Sequence, residues 1–269
     1  MKRFSMVILC LALSGCAQAP LSGGRYVAMG SSFAAGPGVG VSADQPSTRC
    51  ARSAQNYAHV AATRLGLTLV DVSCSGARTA HITGAWNEVA PQIDAVTADT
   101  VLVTMTIGGN DLGYIGNLGA ASCAAAALTA CPPVDPPSPA RYAALDRAMR
   151  EVIAAVHARA PKARIIMVEY PRVLPDEGGC ARAPLSSADA ALARATAAKL
   201  AEITAQAAAA EGAGVLHASE LSLGHDACAA QPWMNGFLTD TGARAPVAYH
   251  PNAAGMAAIG DALVKMLTP

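Results

Sequence analysis

The sequence has little charge and no excess of either sign. Asp, Glu, Lys and Arg make up 14% of its 269 residues, and 19 basic side chains balance 19 acidic ones. That balance leaves no basis for nucleic-acid binding or for electrostatic attachment to a membrane surface. No cysteine pair shows the close Cys-x-x-Cys spacing, with a partner pair, that a structural zinc site needs, so no metal or other cofactor is expected. The apolar run at 6–13 is too short to span a bilayer stably. There is no internal repeat and no sign of a second domain. Apolar residues are abundant at 52%, which suffices for the full core of one domain.

The first sixteen residues, MKRFSMVILCLALSGC, combine a basic start at Lys2 and Arg3 with that short apolar run, the layout of an export signal. Their ending, Leu13-Ser14-Gly15-Cys16, resembles a bacterial lipobox. The resemblance implies removal of residues 1–15, acylation of Cys16 and a membrane anchor in which each buried methylene contributes about 0.8 kcal/mol. Residues 16–24 then read as a tether, and 25–269 as the domain. With Ala17 after the cysteine, an outer-membrane or periplasmic location is implied if the organism is Gram-negative. The rival reading is an ordinary signal peptide cut near residues 17–19, releasing a secreted protein.

Setting aside Cys10 and Cys16, six cysteines remain, an even number that points to disulfides in an exported chain. Six cysteines allow fifteen pairings. The simplest set in chain order is Cys50–Cys74, Cys123–Cys131 and Cys180–Cys228.

The domain is organised around RYVAMGSSFAAGPG at 25–38, a short buried strand that stops at Gly30-Ser31-Ser32. Ser32 is presented at the strand's carboxyl end, where open α/β sheets place their chemistry, and it is the candidate nucleophile. Further strands are predicted at 67–73, 100–107, 163–170 and 215–217. The second and third end in glycine-bearing turns at Gly76 and at Gly108-Gly109-Asn110-Asp111. Helices are predicted at 53–65, 86–96, 140–160, from an N-cap at Ser186 with Asp189 in a capping box to about 210, and from His250-Pro251-Asn252 to about 267. An Ala-rich and Pro-rich insertion at 118–139 is expected to form a rim of the substrate cleft. Strands alternating with helices argue a three-layer α/β/α sandwich with a parallel, flavodoxin-like five-stranded sheet.

Ser32, Gly76, Asn110 and His250 stand in the order of the four sequence blocks of the SGNH (GDSL-type) hydrolases, which this chain resembles over about 25–267. The most specific pieces are Gly108-Gly109-Asn110-Asp111 and Tyr249-His250-Pro251-Asn252. The six-cysteine layout, with Val72-Ser73-Cys74-Ser75-Gly76-Ala77 and Gly224-His225-Asp226-Ala227-Cys228, is similar to secreted actinobacterial-type esterases of that family, which carry three disulfides. The resemblance implies an esterase or lipase in which His250 takes the proton of Ser32. The backbone N–H groups of Ser32 and Gly76 and the amide of Asn110 would form the oxyanion hole.

Two departures stand out. The aspartate that usually precedes the nucleophile is Ser31, which is expected to change local support without removing the catalyst. The carboxylate usually three residues before the histidine is Val247, so a Ser32–His250 dyad is expected, its imidazole oriented by the backbone carbonyl of Val247 or a neighbour. Asp240 or Asp226 supplying a carboxylate from another loop is the alternative. Asp111 reads as a turn residue supporting Asn110. His59 and His157 read as surface or packing residues, and His81 and His217 have no partner pattern. His225 and Asp226 belong to a disulfide-held loop, and Trp86 and Trp233 to core or cleft wall. The expected partners are an ester substrate and, through the anchor, a membrane, with no obligate protein partner. A polysaccharide O-acetyl esterase, or a surface binding lipoprotein whose catalysis has decayed, are the competing functions.

Overall fold

The computed structural model describes residues 21–237 and 246–268. The elements follow in the order β1 (Arg25–Gly30), α1 (Ser32–Ala35), α2 (Tyr57–Leu65), β2 (Thr68–Asp71), α3 (Ala80–Thr83), β3 (Thr100–Thr106), α4 (Tyr114–Ala125) and α5 (Pro139–Arg159). They continue with β4 (Arg164–Val168), α6 (Ser187–Ala210), β5 (Gly214–Leu216), α7 (Ala218–Leu221) and α8 (Ala253–Leu267). The five strands are parallel in the order β2-β1-β3-β4-β5. This is the flavodoxin-like order, with its switch point between β1 and β3.

The period-two alternation of the strands sorts their side chains into two cores. Val27, Met29, Val103, Met105, Ile165 and Met167 face one way and pack on Leu145, Met149 and Val152 of α5 and Leu200 and Ile203 of α6. Tyr26, Ala28, Leu102, Ile166 and Val168 face the other way, onto Tyr57 and Ala61 of α2 and Met256, Ile259 and Leu263 of α8. Because both faces are covered, the strands read as nearly continuous apolar runs.

Local sequence sets the helix starts. Ser186 accepts from Asp189 N at the head of α6, and Asn252 accepts from Gly255 N at the head of α8. The helix predicted from 53 begins four residues later, at Tyr57. Asn56 caps it, accepting from Ala58 N and His59 N, while Ser53 is held outside by its N–H on Ala35 O at 2.8 Å. The helix predicted over 86–96 is not one. Trp86 and Val89 close a tight turn with two mutual backbone hydrogen bonds, Pro91 follows, and only a single 3₁₀ turn forms at Gln92–Ala95. A short α3 forms earlier instead. The expected insertion at 118–139 begins inside α4, whose first turn lies upstream at Tyr114. The strands at 67–73 and 163–170 are shorter than expected by one to two residues at each end, and β5 starts at Gly214 rather than at 215. The three disulfides pair in chain order, Cys50–Cys74, Cys123–Cys131 and Cys180–Cys228. The leader, Cys16 and Asp240 lie outside the described residues.

Candidate active site

β1 ends with Gly30 paired to Thr106 of β3. A Cβ on Gly30, whose φ is +125°, would sit 2.3 Å from Thr106 O, so only glycine fits this strand end. Its peptide is clamped by a buried side chain: Gly30 N donates to Gln92 Oε1 at 2.7 Å, and Gln92 Nε2 donates to Gly30 O at 2.9 Å. Ser31 N continues the edge onto Thr106 O at 2.9 Å. The chain then turns into α1, and Ser32 opens it with only 8% of its surface exposed.

His250 comes to this serine from the head of α8. Its Nε2 lies 2.7 Å from Ser32 Oγ and its Nδ1 lies 2.8 Å from Ala248 O. A carbonyl only accepts, so Nδ1 carries the proton and Nε2 presents its lone pair to the serine hydroxyl. That is the tautomer a general base needs. Burial pushes the imidazole pKa down to about 4, against the smaller opposing effect of the Ala248 carbonyl. The Phe33 ring, 4.9 Å away, covers the imidazole.

The orienting carbonyl is that of Ala248 and not Val247. Val247 O is taken by His250 N at 3.3 Å and by the Asn235 amide at 3.1 Å. Tyr249, at φ +58°, folds the chain so that the next carbonyl turns back to the ring. This uncommon conformation is held by the Tyr249 hydroxyl on Ser122 of α4 and by Asn235 N on His250 O. Asp226 does not reach His250; it caps its own loop, accepting from Cys228 N at 2.8 Å.

Asn110 leaves β3 in a turn that is tied on three sides. Its Nδ2 donates to Ala77 O at 2.9 Å, which joins it to the residue after Gly76 and leaves its second amide proton. The Asp111 carboxylate accepts from Thr79 N and from Thr79 Oγ1, the latter at 2.6 Å, and burial raises its pKa. Gly109 N donates to the Tyr170 hydroxyl at 3.0 Å. Gly76 sits at φ +88° with the Trp86 ring against it, 2.9 Å from where a Cβ would stand. Among the described residues, neither Ser32 N nor Gly76 N donates to a backbone carbonyl.

Tyr170 supplies what the missing aspartate leaves open. Its hydroxyl accepts from Gly109 N and shares a hydrogen bond with Ser31 Oγ at 3.0 Å, and Ser31 Oγ also lies 3.4 Å from Thr106 O. Burial pushes the phenol up to about 12, so it stays neutral. This chain of contacts joins the Ser31-Ser32 turn to the Asn110 turn. Nothing in the sequence around Tyr170 or Gln92 marks them, because both act through partners more than sixty residues away.

Three of the other histidines pack or hydrogen-bond away from Ser32. His81 stacks on Trp86 at 4.3 Å, with the Arg49 guanidinium also over that ring at 3.8 Å. His217 Nδ1 meets the buried Glu169 at 2.9 Å, and His225 stacks on Trp233 at 4.1 Å. Neither His81 nor His217 hydrogen-bonds to Ser32. Among the described residues no group of three His, Cys, Asp or Glu side chains is placed to hold a metal ion.

Residues 28–258 match the GDSL-like Lipase/Acylhydrolase family. The chain belongs to that family. It is 36% identical to Lipase 2 of Streptomyces coelicolor over 244 residues, 86% of this chain and 81% of that protein. The solved extracellular lipase of Streptomyces rimosus superposes with a TM-score of 0.72 at 30% identity, covering 91% of this chain and 100% of that one. Phospholipase A1 from Streptomyces albidoflavus superposes with a TM-score of 0.75 at 26% identity, covering 91% and 99%. As a GDSL-like acylhydrolase the protein is an ester-hydrolysing enzyme.

Proposed function

We propose that this GDSL-like enzyme hydrolyses carboxylic esters through an acyl-enzyme on Ser32, with His250 as the base and no carboxylate completing a triad. The hydrogen bond from Ser32 Oγ to His250 Nε2, with Nδ1–H already committed to Ala248 O, supports this reading. As Oγ bonds to the ester carbonyl carbon, its proton passes to Nε2. The negative charge gathers on the carbonyl oxygen, which accepts from Ser32 N, Gly76 N and the spare amide proton of Asn110. The imidazolium then gives its proton to the departing alcohol. Water repeats the sequence to release the acid.

A carbonyl dipole stabilises the imidazolium less than a carboxylate would. The compensation is the oxyanion itself, formed close by in a site that excludes most water, where opposite charges attract strongly. Three disulfides suit an oxidising compartment, and with the leader they support export. The Leu13-Ser14-Gly15-Cys16 ending supports acylation of Cys16 and a membrane anchor.

The test is hydrolysis of p-nitrophenyl esters from acetate to palmitate by wild type, Ser32→Ala and His250→Ala, together with labelling by an organophosphonate. Activity and label lost in Ser32→Ala are expected, and the chain-length optimum separates an acetyl esterase from a lipase. A folded, oxidised protein with no turnover above the Ser32→Ala background on any ester would refute the proposal.

A further inference from the structure

The peptides from 74 to 77 are held by their own hydrogen bonds, with one exception. Cys74 N donates to Gly30 O at 3.0 Å, Ser75 N to Cys50 O at 3.1 Å and Ala77 N to Cys74 O at 3.0 Å. Ala77 O accepts from the Asn110 amide at 2.9 Å. Gly76 N has no acceptor among the described residues, and it is the donor that the proposed oxyanion hole requires. Glycine adopts either sign of φ about equally readily, so neither hydrogen bonding nor intrinsic preference keeps Gly76 at +88°.

Packing supplies the restraint. Trp86 Cη2 lies 2.9 Å from where a Cβ on Gly76 would stand, so the far edge of the indole fills the space of the missing side chain. The indole is itself built in. The Arg49 guanidinium lies 3.8 Å over its ring while donating to Trp86 O at 3.0 Å and to Glu88 Oε1 at 2.6 Å. The His81 ring stacks on it at 4.3 Å, with 6° between the planes. Arg49 directly precedes Cys50, which is bonded to Cys74 and accepts from Ser75 N. One short segment therefore grips both the indole and the loop on which the indole presses.

We propose that Trp86 is a positioning residue for ester hydrolysis: its indole edge fixes Gly76 so that the N–H stays aimed at the developing oxyanion. This rests on the reading of Gly76 N as an oxyanion donor put forward above. A donor fixed in advance costs no reorganisation when charge appears, so the benefit is confined to the transition state.

The experiment measures kcat and KM on p-nitrophenyl acetate, butyrate and octanoate for wild type, Trp86→Ala and Trp86→Phe. It adds the dissociation constant of phenylboronic acid, whose adduct with Ser32 Oγ is a tetrahedral anion carrying an oxygen where the ester's oxyanion would form. Trp86→Phe keeps a ring for Arg49 and His81 to lie on but lacks the far edge that reaches Gly76, so it carries the test if Trp86→Ala fails to fold. Losing an oxyanion donor outright costs about 10²–10³ in kcat, so a loosened one is expected to cost about tenfold to a hundredfold in Trp86→Ala and about fivefold in Trp86→Phe. The loss should be the same on all three esters, with KM within about twofold, and boronate affinity should fall by the same factor as kcat/KM. A wild-type kcat in folded variants overturns the proposal, as does a raised KM or an altered chain-length preference at unchanged kcat, which would make Trp86 a wall of the substrate cleft. A lowered kcat with unchanged boronate affinity overturns it too. Ser32→Ala separates the two levels. Boronate binding that is absent from wild type or undiminished in Ser32→Ala removes the acyl-enzyme reading and this inference together, whereas binding that needs Ser32 and ignores Trp86 removes only the role of Trp86.

Discussion

With His250 as the proposed base, its burial predicts that the enzyme keeps working well below the ordinary titration range of histidine. The imidazole is 7% exposed, and its pKa is pushed down to about 4. At pH 5 about 90% of such a group is neutral, against about 3% of a histidine titrating at 6.5. The acid limb of kcat/KM, which reports the free enzyme, is therefore expected near pH 4, with roughly thirtyfold more activity at pH 5 than an unperturbed base allows. Stability moves in the opposite sense. The unfolded chain binds a proton near pH 6.5 and the folded one near pH 4, so between those values the unfolded state holds more protons and stability falls as pH drops. The limit of that loss is about 3 kcal/mol, reached below pH 4, and above pH 6.5 the histidine contributes none. Titrimetric rates on a short-chain ester from pH 3.5 to 8, with far-UV circular dichroism at each pH to certify folding, make the measurement. An acid limb at 6 to 7 in folded protein would refute the reasoning, because it would mean that the working imidazole is solvated or carries a carboxylate partner.

Tyr170→Phe leaves the buried Gly109 N–H without an acceptor, at a cost of about 1–3 kcal/mol in stability. It also frees the Asn110 turn, so kcat is expected to fall about tenfold with KM within about twofold, milder than the 2.7–4 kcal/mol barrier increase typical of losing an oxyanion donor outright. A wild-type kcat in that variant would remove Tyr170 from the positioning network. Asp226→Asn keeps an acceptor for Cys228 N and is expected to leave kcat and the acid limb unchanged; a hundredfold loss would show that this carboxylate reaches His250 during turnover. Replacing Cys50 and Cys74 by serine opens a loop with a sequence separation of 24, for which the chain-entropy model gives about 3.5 kcal/mol. Urea midpoints should show that loss. Activity should fall more than in the Cys123/Cys131 pair variant, because Ser75 N next to Gly76 donates to Cys50 O.

Much of the architecture was legible because both faces of the sheet are covered. Buried strands such as TVLVTMT and RIIMV leave apolar runs too short for helices, while α5 and α6 are long and carry apolar residues at helical spacing. The helix head at Ser186 could be read from local capping chemistry alone. The region 80–96 could not, since the turn closed by Trp86 and Val89 and the stop at Pro91 compete with a helical composition that is only weakly periodic.

The residue types of the proposed site, and their order along the chain, were determined by the sequence: a serine and two glycine turns at strand exits, an asparagine, and a histidine before the last helix. Only the tertiary structure decided how they are held. The carbonyl that orients His250 depends on the φ of Tyr249, a torsion that side-chain identity does not dictate. The clamp by Gln92 and the relay through Tyr170 join residues sixty or more positions apart. Such contacts form only when packing of the two cores brings separate strand ends to one edge, and no local pattern records them.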